Sequence, residues 1–194
     1  EIKRFNWHLA TGFIGTPRLL PGLHEAGQDA SAYRLLLQET YPSWLFQVKL
    51  GATTMWERWN GWTPEHGFEA ITMNSFNHYA FGAVGEYLYA GLAGICAESP
   101  AYKQIRIQPT LGDGITWVNS GFDSPCGHIV SNWVVEGGKL TMDVTIPINT
   151  TATVYVPAKD AAGVSESGKP VDQAGGVKFL RMENNAAVYA VGSG

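Results

Sequence analysis

The sequence lacks concentrations of any one character. Its 17 acidic and 13 basic residues leave a net charge of −4, with no run of like charges. A nucleic-acid partner usually needs a clustered basic face, so none is expected. No apolar stretch is long enough to span a bilayer, and no membrane partner is expected either. There are only two cysteines, Cys96 and Cys126. They are too few for a disulfide framework and not spaced as metal ligands, so both read as free thiols and leave the redox compartment unspecified. The opening EIKRFNWHLA has no initiator methionine, signal peptide or targeting tract. It begins in mid-pattern and reads as a fragment of a longer chain, with secreted, periplasmic and cytoplasmic locations all open. Phosphate loop, zinc motif, nucleophile elbow and triad spacing are also missing, so no cofactor or metal is expected.

What is present is a 194-residue chain, 45% hydrophobic and with 23 glycines. That length suits one or two domains with a real core. Residues 1 to about 95 read as helical. In GTPRLLPGLHEAG, Thr16 is a candidate N-cap before Pro17, with Gly27 as a stop. Asp29 is a cap candidate for DASAYRLLLQET, and YPSWLFQVKLG has proline near its start and Gly51 at its end. NSFNHYAFGAVGEYLYAGLAG predicts the longest helix, capped by Asn74 or Ser75. Its expected stripe is Phe76, Tyr79, Ala80, Ala83, Val84, Tyr87, Leu88 and Gly91.

From about residue 103 the period becomes two. KQIRIQPTL alternates Ile105 and Ile107 with polar residues, and GHIVSNWVVEGGKLTMDVTIP predicts a hairpin turning at Gly137-Gly138. Leu140, Met142, Val144 and Ile146 should share one face of it. TATVYVP and AAVYAVG read as further strands, and short strands joined by glycine, proline and asparagine turns predict an antiparallel sandwich. The division is expected within ICAESPAYK, separating a helical part, 1–97, from a β part, 98–194.

The chemistry concentrates in GATTMWERWNGWTPEHGF, where Trp56, Trp59 and Trp62 crowd around Glu57 and Arg58. Aromatic faces attract the C–H groups of sugars, and a carboxylate between them can activate water or attack a glycosidic carbon. The plainer alternative is that the tryptophans are core and Glu57–Arg58 a surface pair. His78 is more often a packing or capping residue than a ligand. Glu86, two helical turns beyond it, reads as structural, and Glu65-His66 as solvated.

GATTMWERWNGW, then MNSFNHYAFGAVGEYLYAGLAGI and IRIQPTL, closely resemble bacterial α-L-rhamnosidases, the inverting glycosidases of glycoside hydrolase family 78. The resemblance covers most of the chain and is strongest over residues 41–110. It implies the last helices of an (α/α)6 barrel followed by a C-terminal antiparallel β-sandwich. It places the family's general base on Glu57, its sugar-contacting histidine on His78, and its flanking aromatics on Trp56 and Trp59. Asn60 stands where the family often has aspartate. The family's general acid lies upstream of this chain, so the fragment alone should be nearly inactive. The implied partner is a rhamnose-containing carbohydrate, and an incomplete barrel should also favour self-association. Competing readings are another (α/α)6-barrel carbohydrate enzyme, a carbohydrate-binding module, or a purely structural folding unit.

Overall fold

Proline lacks a backbone N–H and is tolerated where the first helical turn has no acceptor to offer. Pro17 sits there, in α1 (Thr16–Glu25). A computed structural model describes residues 2–194, apart from the side chains of Ile71 and Asp172. Gly15 is the N-cap of α1 in place of Thr16. The Thr16 hydroxyl points back instead and donates to Gly12 O at 2.9 Å. Gly27 follows the helix end at φ +66°, a backbone angle that suits glycine. Asp29 is likewise not a cap but the first residue of α2 (Asp29–Leu36). His24 Nδ1 and Asp29 Oδ1 are 2.7 Å apart, joining the end of one helix to the start of the next. α3 (Trp44–Lys49) begins as expected, with Ser43 Oγ accepting from Phe46 N. Gly51 just beyond it has φ +87°.

The longest predicted helix starts later and is interrupted. α4 (Tyr79–Gly82) and α5 (Val84–Tyr87) are single turns on either side of Ala83, followed by a π-helical turn, Leu88–Leu92. Asn74 and Ser75 precede it in irregular backbone, and His78 is the cap. Gly82 and Gly85 are weak helix formers, which accounts for the poor continuity. The buried face also shifts. Ala80, Phe81 and Tyr87 are buried, whereas Tyr79, expected inside, is 87% exposed. Between α3 and α4 the regular structure is a minimal hairpin, β1 (Trp62–Thr63) with β2 (Gly67–Phe68), and one 3-10 turn, Ile71–Met73.

Two compact units divide the chain. The first comprises residues up to Leu88 together with Gly112–Gly114, and the second the remainder. In the first, Leu20, Ala32, Tyr33, Leu35, Trp44, Trp56, Trp59 and Phe81 are buried. The second is built of strands. β3 (Ile95–Ala97), expected on the helical side of the division, pairs with β4 (Gln104–Ile107). β5 (Trp117–Val118), β6 (Gly121–Ser124), β7 (Gly127–Glu136) and β8 (Lys139–Thr145) form one sheet, with β7 pairing to all three others. β9 (Thr151–Pro157) enters the sheet of β3 and β4. A small separate pair, β10 (Ser165–Glu166) with β11 (Lys169–Pro170), follows. β12 (Val177–Glu183) and β13 (Ala186–Val191) complete the five-stranded sheet, in the order β12-β13-β9-β4-β3.

The β7–β8 hairpin turns at Gly137 and Gly138, both at positive φ, as a two-residue turn of matching twist requires. Its residues alternate as predicted: Leu140, Met142 and Val144 are half-buried and their neighbours exposed, with Ile146 buried. The departure from the expected pairing is β4 with β9, which run parallel. A parallel pair needs a long connection, and residues 108–150, carrying the other sheet, supply it. One hydrophobic cluster draws on both sheets, with Ile95, Ile105, Ile107 and Val154 from one and Ile129 from the other. Trp133 Nε1 donates to Leu92 O at 2.8 Å and Ser131 Oγ to Ala93 O at 2.6 Å, satisfying buried polar atoms there. Both cysteines are free. Among the described residues, no helix is long and apolar enough to cross a membrane.

Candidate active site

The segment around Glu57 has almost no regular structure, so its backbone polar groups need other partners. They find them along residues 69–78. Thr54 Oγ1 donates to Phe76 O, His78 N to Met55 O at 2.9 Å, and Arg58 Nε to Met73 O at 2.8 Å. Asn74 Nδ2 donates to Gly61 O at 2.7 Å, and Glu69 N to the same oxygen at 3.0 Å. β1 and β2 close this irregular hairpin at its far end. Gly61 fits because the contact is tight: a β-carbon there would lie 2.8 Å from Asn74 Oδ1. Behind the turn, Gln47, 2% exposed, reaches from α3 and donates to Arg58 O at 2.9 Å.

Glu57 sits at the centre of this lacing. Its N–H donates to Ser75 O at 2.8 Å, and its Oε2 accepts from Ser75 N at 2.8 Å. The reciprocal pair fixes the backbone and one carboxylate oxygen together. Arg58, its sequence neighbour, turns to the Met73 carbonyl. Asn60 Nδ2 donates to Glu69 Oε1 at 3.1 Å. Aspartate at position 60 would set a second carboxylate against Glu69, so the amide suits this pairing.

Of the three tryptophans, Trp56 and Trp59 are 6% and 8% exposed. Trp59 stacks on Phe81 with centroids 3.8 Å apart and receives the edge of Trp44 at 5.6 Å. Trp56 meets Phe76 edge-on at 5.1 Å. Both indoles therefore anchor the hairpin in the core and offer little free face. Trp62 is half-buried in β1.

His78 caps α4. Its Nδ1 accepts from Ala80 N at 3.3 Å, and its ring lies against those of Phe13, at 4.8 Å and 27°, and Tyr79, at 5.5 Å and 2°. The hairpin thus ties Glu57 and His78 into one local structure through the Met55–His78 and Glu57–Ser75 pairs. Glu86 is exposed on α5, and Glu65 and His66 are exposed between β1 and β2. Sequence reasoning named Asn74 and Ser75 only as helix caps and did not single out Gln47 or Phe13. Asn74 and Ser75 carried a signal, polar residues ahead of an apolar run, but it pointed equally to a helix cap. Phe13 and Gln47 are brought in only by the tertiary fold.

The same unit holds a second polar group. Tyr87 is pushed up to about 12, first by burial and then by the Asp29 carboxylate. Tyr33 is raised further by burial, Tyr87 and Asp29. The Tyr87 hydroxyl is buried without a hydrogen-bond partner. Among the described residues, no cluster of three or more His, Cys, Asp or Glu could hold a metal ion.

Comparison with known proteins gives these features a context. Residues 1–92 match the bacterial α-L-rhamnosidase six-hairpin glycosidase domain, and residues 94–170 the bacterial α-L-rhamnosidase C-terminal domain. An α-L-rhamnosidase of Streptomyces avermitilis is 44% identical over 193 residues, covering all of this chain and 18% of its own length. One from Formosa agariphila is 38% identical over 183 residues, covering 94% of this chain and 20% of its own. The solved S. avermitilis α-L-rhamnosidase complexed with L-rhamnose superposes with a TM-score of 0.88 at 43% identity, over all of this chain and 18% of that one. Native α-L-rhamnosidase from Aspergillus terreus superposes with a TM-score of 0.82 at 31% identity, over all of this chain and 20% of that one. The chain thus spans about a fifth of the length of these relatives. Helices followed by sheets, in the arrangement of the corresponding region of those enzymes, and both family domains in order show that this chain belongs to the bacterial α-L-rhamnosidase family.

Proposed function

We propose that this chain is part of an inverting α-L-rhamnosidase that hydrolyses terminal α-L-rhamnosyl residues from glycosides or polysaccharides, and that Glu57 is its general base. In this reading, the helical unit contributes the last helices of an (α/α)6 barrel and the strand-rich unit is a β-sandwich. The observation that carries the assignment of the base is the Glu57–Ser75 pair. The Ser75 N–H occupies Oε2, which leaves Oε1 to take a proton from water. That water adds to the anomeric carbon as the glycosidic bond breaks on the opposite face. The leaving oxygen needs a proton from a second carboxyl group roughly 6.5–9.5 Å from the first. Nothing in this chain is assigned that role; Glu86, which reads as structural, is exposed on a helix turn. His78 contacts the sugar. Trp56 and Trp59, with most of their surface packed on Phe76, Phe81 and Trp44, hold the base in place and meet sugar only at their open edges.

Two measurements test the reading. Proton NMR of an aryl α-L-rhamnoside digested by the full-length protein should show the β-anomer of L-rhamnose first; α-anomer as the first product rules out inversion. The 194-residue chain by itself should hydrolyse the same substrate barely or not at all, since proton assistance to a leaving group is worth about 10²–10⁴-fold. Substantial turnover by the chain alone, lost in Glu57→Gln, would mean that it carries its own acid. Ile14, Phe68, Met73 and Val48 are exposed on the helical unit and give it a surface for self-association. Light scattering should show a mass that rises with concentration, and a constant monomer mass removes that part of the proposal.

A further inference from the structure

The imidazole of His78 is constrained on more sides than its role as a helix cap requires. Nδ1 accepts the Ala80 N–H, so in the neutral ring the proton resides on Nε2. Nε2 has no protein partner among the described residues. Two aromatic rings then lie against the imidazole in stacked geometry, Phe13 from the segment before α1 and Tyr79 from the next position in the chain. Phe13 is itself held by the edge of Phe81, at 5.3 Å and 62°, and Phe81 is buried against Trp59. A line of ring contacts therefore runs from the core beside Glu57 to the imidazole. The backbone is fixed as well, because His78 N donates to Met55 O.

Stacking on an imidazole restricts rotation about its last side-chain bond, since turning the ring would drive its edge into its neighbours. With Nδ1 engaged, what the ring offers outward is an edge carrying a single N–H donor. Tyr79 is 87% exposed, far more than core packing would give, so its contact with His78 is not a by-product of burying Tyr79.

We propose that Phe13 and Tyr79 are positioning residues that hold His78 edge-on as its Nε2–H tautomer, so that it donates one hydrogen bond to a ring hydroxyl of the bound sugar. Rotation by half a turn would carry Cε1 to the place of Nε2 and break the Nδ1 bond to Ala80 N, and with that bond lost the other tautomer could leave Nε2 an acceptor in place of a donor. The inference rests on the reading of His78 as a sugar contact for its final step, but the fixed tautomer is a property of the free chain.

The test uses the 194-residue chain labelled with nitrogen-15 and a long-range proton–nitrogen correlation at a pH where the ring is neutral. His78→Gln assigns the signals. The expected spectrum has one pyridine-type nitrogen at Nδ1 and one pyrrole-type nitrogen at Nε2. Phe13→Ala or Tyr79→Ala should move both toward the averaged values of an exchanging ring, while Phe13→Tyr and Tyr79→Phe should restore them. An averaged or Nδ1–H pattern in the unaltered chain overturns the proposal. So does an unchanged pattern in both alanine variants with a well-dispersed amide spectrum. Titration with L-rhamnose separates this from the functional reading: a fixed tautomer whose Nε2 does not respond to sugar keeps the positioning and discards the sugar contact.

Discussion

The two units solve the same problem, pairing buried backbone, by opposite means. The strand-rich unit does it through ladders, in which each residue's partner follows from register, and side chains are free to pack the cluster around Ile105, Ile107 and Ile129. The helical unit leaves its central segment, residues 50–78, almost without ladders and pairs it through Gln47, Asn60, Arg58, Asn74 and the Glu57–Ser75 bonds. A ladder is tolerant of side-chain identity, whereas a segment held by side chains is not. What such a segment gains is freedom from strand or helix geometry, which lets a carboxylate, an imidazole and three indoles be placed individually.

The sharpest way to break the strand-rich unit is through its backbone. Gly94 has φ +75°, and a β-carbon there would lie 2.2 Å from the Gln108 carbonyl carbon. Gly94→Ala should cost about 2–5 kcal/mol from left-handed strain and overpacking together. The loss should show as a lowered denaturation midpoint with accelerated hydrogen exchange in β3 and β4.

A smaller effect is expected in the helical unit. Gln47→Ala removes the bond to the Arg58 carbonyl, worth about 0.5–1.5 kcal/mol, and leaves a cavity that adds to the loss. Exchange should quicken at the Glu57 and Gly61 amides, and the β7–β8 ladder should be unaffected. Equal acceleration in both units would contradict the contrast drawn between them.

The smallest effect is pH-linked. Tyr87 is raised to about 12 in the fold from its ordinary value near 10, so the neutral hydroxyl is favoured by folding. That stabilisation is complete below pH 10 and is lost as pH rises toward 12. Tyr87→Phe should remove this alkaline loss at little cost near neutrality, because the hydroxyl it deletes has no hydrogen-bond partner. Urea titrations at neutral and alkaline pH compare the two chains.

The same contrast explains what could be read from the sequence. Period-two alternation in Leu140, Met142 and Val144, and the Gly137-Gly138 turn, located the hairpin to the residue. The parallel pairing of β4 with β9 had no such signature, because the alternation of Ile105 and Ile107 is the same in either direction. In the helical unit, Asn74 and Ser75 looked like caps because the same polar side chains that cap helices also pair loops. Tyr79 sat at the right spacing for a buried stripe but lies outside, since the segment before it is not helical and the helix turns start one residue after the His78 cap. The crowding of Trp56 and Trp59 around Glu57 was legible, but whether their faces met core or ligand was not. That depended on Phe76, Phe81 and Trp44, which are distant in sequence.

The role proposed for Glu57 is to deprotonate the attacking water. The most direct test is the steady-state kinetics of Glu57→Gln in the full-length protein on an activated aryl α-L-rhamnoside, with folding checked by the unchanged Ser75 amide environment. The substitution keeps the side chain's size and an oxygen for the Ser75 N–H, so the hairpin should persist. If Glu57 is the general base, kcat should fall by about 10²–10⁴-fold with KM little changed. A variant that retains kcat within a few-fold of the unaltered enzyme would contradict it.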